Sequence, residues 1–155
     1  MISLKEARQK AINIIGQDKV PAYSTLRDWT SKGFISGVIE GTSRGAKYPD
    51  HIVYEIITAI KLKNEHNIKL TKIAEVRSDI DFTSKDYYSV ENYINKLSNY
   101  VEKLNKEQEK LSNHVISSNK DLIIDLLEKK LSKIREINKK IELLKVYIKY
   151  IAEYS

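Results

Sequence analysis

Helical periodicity in the first third, an alternating segment studded with glycine, and a heptad repeat that begins at Val90 together predict a mainly α chain. The class they define is an N-terminal winged helix-turn-helix with a small β-hairpin wing, followed by a long C-terminal coiled-coil helix or a helical hairpin. On this reading residues 1–77 form the head, 78–88 a linker and 89–155 the coiled-coil region.

Each element has its own signal. Leu4, Ala7, Ala11, Ile14 and Ile15 recur at helical spacing and Gly16 is a stop just past them, which predicts the first helix. A polar loop over residues 17–21 leads to a short second helix that Ser24 or Thr25 can cap. Leu26 and Trp29 turn inward from it, and Gly33 ends it. Residues 34–40 alternate loosely and run through GTSRG to Lys47, Tyr48 and Pro49, the pattern of a β-hairpin with a basic tip. Asp50 can cap a third helix carrying Ile52, Val53, Ile56, Ile57, Ile60 and Leu62. Residues 64–67 close it, and Thr71 opens a short fourth helix holding Ile73, Ala74 and Val76.

The pattern lapses in SDIDFTSKDYY. Val90, Ile94, Leu97, Val101, Leu104, Gln108, Leu111 and Val115 then follow in alternating steps of four and three, and Gln108 alone breaks the apolar seam, as a register device. At ISSNKD the repeat is interrupted, with Ser118 and Asn119 able to cap a new helix. It resumes as Leu127, Leu131, Ile134, Ile137, Ile141, Leu144, Ile148 and Ile151, and the extra three-residue step at Ile134–Ile137 would overwind a supercoil locally. No Gly or Pro forces a turn, so one long kinked helix and a helical hairpin both fit. Such a seam must be buried. Val90, Ile94, Leu97, Val101, Leu104, Leu111, Leu131, Ile134, Ile141, Leu144, Ile148 and Ile151 are therefore expected at a homo-oligomer interface, a dimer or a tetramer. A second stripe, Leu143, Tyr147, Tyr150 and Tyr154, makes the face wider than a two-stranded coil needs. The last helix should pack on more than one neighbour, or the chain should fold back on itself.

Composition narrows the function. The chain has no cysteine, which excludes disulfides and thiolate zinc sites. MISLKEARQK lacks the apolar core of a signal peptide, and no stretch approaches the roughly 18 apolar residues of a membrane span, so a cytoplasmic protein without membrane contact is expected. His51, His66 and His114 show no ligand spacing, and GTSRG lacks the length and trailing Lys-Ser/Thr of a phosphate loop. Neither metal, cofactor nor enzymatic activity is expected. Of the net charge of +6, residues 1–77 carry +5 (13 Lys/Arg against 8 Asp/Glu) and residues 78–155 carry +1 (14 against 13). The excess sits on the head, where a polyanion would bind.

A helix, a turn, a second helix and a basic hairpin form a layout in which the second helix meets the major groove of double-stranded DNA while the wing grips phosphate. The candidate DNA contacts are Tyr23, Ser24, Thr25, Arg27 and Lys32 of the second helix and Ser43, Arg44, Lys47 and Tyr48 of the hairpin. Tyr48 also reads as a packing residue, and Trp29 as core. Thr25-Leu26-Arg27-Asp28-Trp29, the stop Gly33-Phe34-Ile35, and Arg44-Gly45-Ala46-Lys47-Tyr48 resemble the recognition helix and wing of the MerR family of transcriptional regulators, and HIVYEIITAIKLKNEHNIKLTKIAEV resembles the helix pair that follows. The resemblance covers about residues 4–77 and implies a dimeric regulator that binds an inverted repeat. The sequence departs from the family in a longer loop before the second helix, in Asp28 where an aromatic is usual, and in Lys-Tyr-Pro at the end of the wing. Asp28 is expected to pair with a basic neighbour, and either Arg44 or Lys47 to take the phosphate. Two alternatives stand beside it: an accessory DNA-binding factor of a plasmid or phage partition system, and a coiled-coil interaction protein without specific DNA binding.

Overall fold

The computed structural model describes residues 1–42, 44–117 and 124–155, and of residue 117 only the backbone. Its α-helices are α1 (Leu4–Ile15), α2 (Tyr23–Ser31), α3 (Ile52–Glu65), α4 (Leu70–Ser78), α5 (Val90–Ser117) and α6 (Ile124–Tyr154), with 3-10 turns at Gln17–Lys19 and Lys85–Tyr87. The chain is mainly α. Ser43 and the expected caps Ser118 and Asn119 lie outside the described residues.

Local chemistry sets the ends of the first two helices. Ser3 and Glu6 close a capping box at α1: the Glu6 amide donates to Ser3 Oγ at 3.2 Å and the Ser3 amide to Glu6 Oε2 at 2.7 Å. Leu4, Ala7 and Ala11 are buried, whereas Ile14 is exposed, so the inner stripe of α1 is narrower than its apolar sequence. α2 begins earlier than expected. Its N-cap is Ala22, no side chain caps it, and Ser24 and Thr25 lie inside the first turn. At its other end Phe34 N–H donates to Trp29 C=O (3.0 Å) and Gly33 N–H to Thr30 C=O (3.3 Å), with Gly33 at φ +74°. These are the paired bonds of a Schellman cap, which needs a left-handed residue. Gly33→Ala should cost about 1 kcal/mol, read as a lower urea midpoint at unchanged slope; an unmoved midpoint would mean that the cap does not form in solution.

The expected β-hairpin wing is not formed. Among the described residues there is no sheet, only the isolated antiparallel bridges Glu40–Lys47 and Ile2–Tyr48. The reason lies in where the backbone groups go. Gly33 C=O and Ser36 N–H are taken by the side chains of Arg77 and Glu55, so the first leg is drawn into the interior. Tyr48 in the second leg bonds Ile2 through both its N–H and its C=O. What remains is a single pairing at Glu40 and Lys47 around a glycine-rich loop.

α5 and α6 run antiparallel. Tyr93 near the start of α5 meets Tyr147 near the end of α6, hydroxyl to hydroxyl at 2.9 Å, and Lys130 Nζ lies 2.7 Å from His114 Nδ1 at the opposite end. Of the two readings left open, the helical hairpin is therefore the one adopted. Leu97, Val101, Leu104, Ile141, Leu144 and Ile151 are buried inside the one chain, in the same core as Ile56, Ile60 and Ile73 of the head. The tyrosine stripe has a similar explanation: Tyr147 is buried, and Tyr150 OH donates to Glu65 of α3 at 3.0 Å and lies 2.8 Å from His66 Nε2. Residues 78–88 also pack, with Ile80 buried and Phe82 5.3 Å from the Tyr93 ring. Gln108 turns back to Ser112 on its own helix (3.1 Å).

One buried polar network joins these parts. Glu55, fully buried on α3, accepts from Arg77 Nη1, from Tyr93 OH (2.7 Å) and from Tyr147 OH (3.3 Å) at one oxygen, and from Ser36 N–H (3.1 Å) at the other. Arg77 donates further to Tyr93 OH (2.8 Å), Gly33 C=O (3.2 Å) and Ser36 Oγ (3.3 Å), and stacks over Phe82. Burial drives the Glu55 carboxyl up, but the Arg77 charge and the His51 contact outweigh it and hold it far below the usual carboxylate range. The same burial, partly opposed by Arg77, raises the Tyr93 phenol well above its ordinary value. α3, α4, α5, α6 and the loop after α2 thus share one charge pair.

Candidate nucleic-acid interface

α1, α2 and the loop over residues 38–48 enclose an open cleft of about 1090 Å³. Its lining holds four cations, Lys5, Arg8, Arg27 and Arg44, against the single carboxylate of Glu6. Glu6 is committed to Ser3, whose backbone and side-chain hydrogen bonds hold its pKa down. Tyr23 stands at the start of α2, 45% exposed, and Tyr48, 5% exposed, contributes to the wall.

The packing of α2 selects which residues reach the cleft. Leu26 and Trp29 are buried against the head, and this turns Arg27 outward one residue from Leu26 and four from Tyr23. Thr30 Oγ1 and Ser31 Oγ both donate to Arg27 C=O, at 2.7 and 3.2 Å, so these hydroxyls are engaged locally. Asp28 pairs with Lys32 at 2.8 Å one turn on, which is the basic neighbour expected of it. Across the cleft, the turn that carries Arg44 depends on Gly41. That residue sits at φ +84°, and an added Cβ would fall inside contact distance of the Gly45 carbonyl oxygen; Gly45 N–H donates to Thr42 C=O at 2.8 Å.

Of the residues singled out from the sequence, Tyr23, Arg27, Arg44 and Tyr48 come together on this cleft. Tyr48 does so as a buried packing residue bridged to Ile2, not as a free side chain. Ser24, Thr25 and Lys47 are exposed outside the lining, and Lys32 is drawn toward Asp28. Ser43 lies outside the described residues. The sequence reading missed Lys5, Arg8 and Gln9 of α1. They were legible as the polar face opposite Leu4, Ala7 and Ala11, at steps of three and four. Arg8 also fixes the approach to α2, its Nε donating to Pro21 C=O at 2.8 Å.

No described helix is long and apolar enough to cross a membrane. No family model, curated protein or solved structure matches the chain.

Proposed function

We propose that the protein binds double-stranded DNA through this cleft, with sequence preference supplied by α2, and acts in the cytoplasm as a MerR-like transcriptional regulator on an inverted repeat. The observation that carries the reading is the convergence of Arg27 from α2, Arg44 from the loop and Lys5 from α1 on one open surface, with no ion pair made by any of the three among the described residues. The N-terminus of α2, uncapped by any side chain, adds free backbone N–H groups on the same helix. Four lining cations less one carboxylate match about three phosphates per head, so log K should fall with log salt at a slope near −3. Fluorescence anisotropy with the DNA upstream of the protein's own coding region and with unrelated duplex tests this. Weak binding without preference, flat in salt, would leave the coiled-coil interaction reading.

An inverted repeat needs two heads, and the distal hairpin is where a second copy would fit. Burial ends at Leu104 on α5 and begins at Ile137 on α6. Beyond those residues the two helices run about 20 Å further with no buried residue among those described, and Ile116, Ile124 and Leu126 are exposed. A helix pair covers only one side of each seam, and a second hairpin supplies the missing layer of a four-helix bundle. Ile124→Lys together with Leu126→Lys should turn a dimer into a monomer in sedimentation equilibrium. A wild-type protein that sediments as a monomer at high concentration sinks this part of the proposal.

A further inference from the structure

A separate cavity of about 350 Å³ lies between the loop after α2 and the segment joining α4 to α5, with Ser36, His51, Arg77, Phe82, Tyr87 and Tyr88 in its wall. That volume is at the lower end of the range that holds small ligands. Two features of the wall bear on what it could hold. His51 is 2% exposed, yet its Nδ1 has no hydrogen bond; Glu55 Oε2 lies 3.3 Å away without alignment. Buried polar atoms are rarely left in that state. The wall also contains Arg77 and His51 but neither Asp nor Glu, and three of its side chains are aromatic.

We infer that this cavity binds a small aromatic carboxylate. The ring packs among Phe82, Tyr87 and Tyr88, and the carboxylate accepts from an imidazole N–H of His51 on the same wall as the Arg77 guanidinium. The imidazole is already held in place, stacked on Tyr93 with ring centroids 3.8 Å apart and planes 5° from parallel. Little side-chain freedom is lost when it is engaged. Val38 lines both this cavity and the cationic cleft, so an occupant would bear on the loop that carries Arg44. That consequence rests on the DNA-binding reading; occupancy itself does not.

The test is an NMR titration of the full chain, without DNA, with benzoate as probe and benzylamine as the control of opposite charge. Benzoate should give saturable shifts at the His51, Tyr87 and Tyr88 ring protons, and benzylamine none. In His51→Phe, which keeps a ring against Tyr93, benzoate should bind at least about tenfold more weakly, the worth of a hydrogen bond to a charged group. If His51→Phe does not fold, Tyr88→Leu serves, with weaker benzoate binding as the expected result. The absence of saturable shifts, an equal response to benzylamine, or unchanged affinity in the folded variant overturns the inference.

Discussion

Glu55→Ala is expected to cost about 3–5 kcal/mol at neutral pH, enough to remove much of the stability of a domain this size. The carboxylate is fully buried, and its removal leaves the Arg77 guanidinium inside the core with its counter-charge gone. Ser36 N–H and one bond of each tyrosine hydroxyl are lost with it. Urea denaturation at neutral pH reads the single variants Glu55→Ala and Arg77→Met, and the double variant Glu55→Leu/Arg77→Met reads the pair. The double should be more stable than either single, because no lone charge remains in it, but less stable than wild type, because Gly33 C=O and Ser36 N–H stay unpartnered. Singles that cost under about 1 kcal/mol would show that water reaches the pair and that it does not hold the head to the hairpin.

The same network fixes the pH range of stability. Glu55 is depressed in the folded state, so its contribution is complete above the unfolded carboxylate value of about 4.3 and is lost as pH falls below it toward the folded value. Tyr93 and Tyr147 are raised by burial, so their contribution is complete below about 10 and is lost as pH rises past it. Tyr100, raised to about 12 by burial and by its bond to Asp79, adds to the alkaline limb. Equilibrium unfolding across pH should show a plateau between those limits, and Glu55→Gln should flatten the acid limb.

Periodicity located the helices because burial of one face is a local property of the chain. The heptads of Val90–Val115 and the resumption at Leu127 define α5 and α6, and Gly33 marks the end of α2 because only a left-handed residue closes that cap. What covers a seam is not local. The repeat is the same whether its partner is another chain or the other arm of a hairpin, and the answer lay in residues 50 or more positions away, in Tyr147 against Tyr93 and Tyr150 against His66. The β-hairpin failed for a comparable reason. Alternation in residues 34–40 signals an extended chain, but whether Ser36 N–H and the preceding Gly33 C=O pair across a hairpin or go to Glu55 and Arg77 depends on two helices further along. One sequence signal was available: Glu55 interrupts the apolar run IVYEIITAI, and an acid on the inner face of a helix requires a basic partner. In the cleft, Arg27 and Arg44 were legible as outward cations, whereas the pairing of Lys32 with Asp28 was written in the i, i+4 spacing itself.

Arg27→Ala should lower affinity for the upstream DNA by about 1–3 kcal/mol, or roughly fivefold to 150-fold, and bring it toward that for unrelated duplex. The magnitude follows from position. Arg27 is on the outer face of α2, fixed by the burial of Leu26 and Trp29 on either side, and makes no ion pair among the described residues, so its guanidinium is available to a guanine edge. Arg44, on the loop across the cleft from α2, should behave differently: Arg44→Ala should weaken both duplexes alike and reduce the salt slope by about 1. Lys32→Ala should change little, since its ammonium is already shared with Asp28. Asp28→Asn releases that ammonium and removes a negative charge from α2, so on the proposed reading it should tighten both duplexes and steepen the slope. This ordering separates the cleft from a general basic surface. If Arg27, Arg44 and Lys32 variants lose the same modest amount on every duplex, the head binds DNA only as a polyanion and α2 reads no sequence.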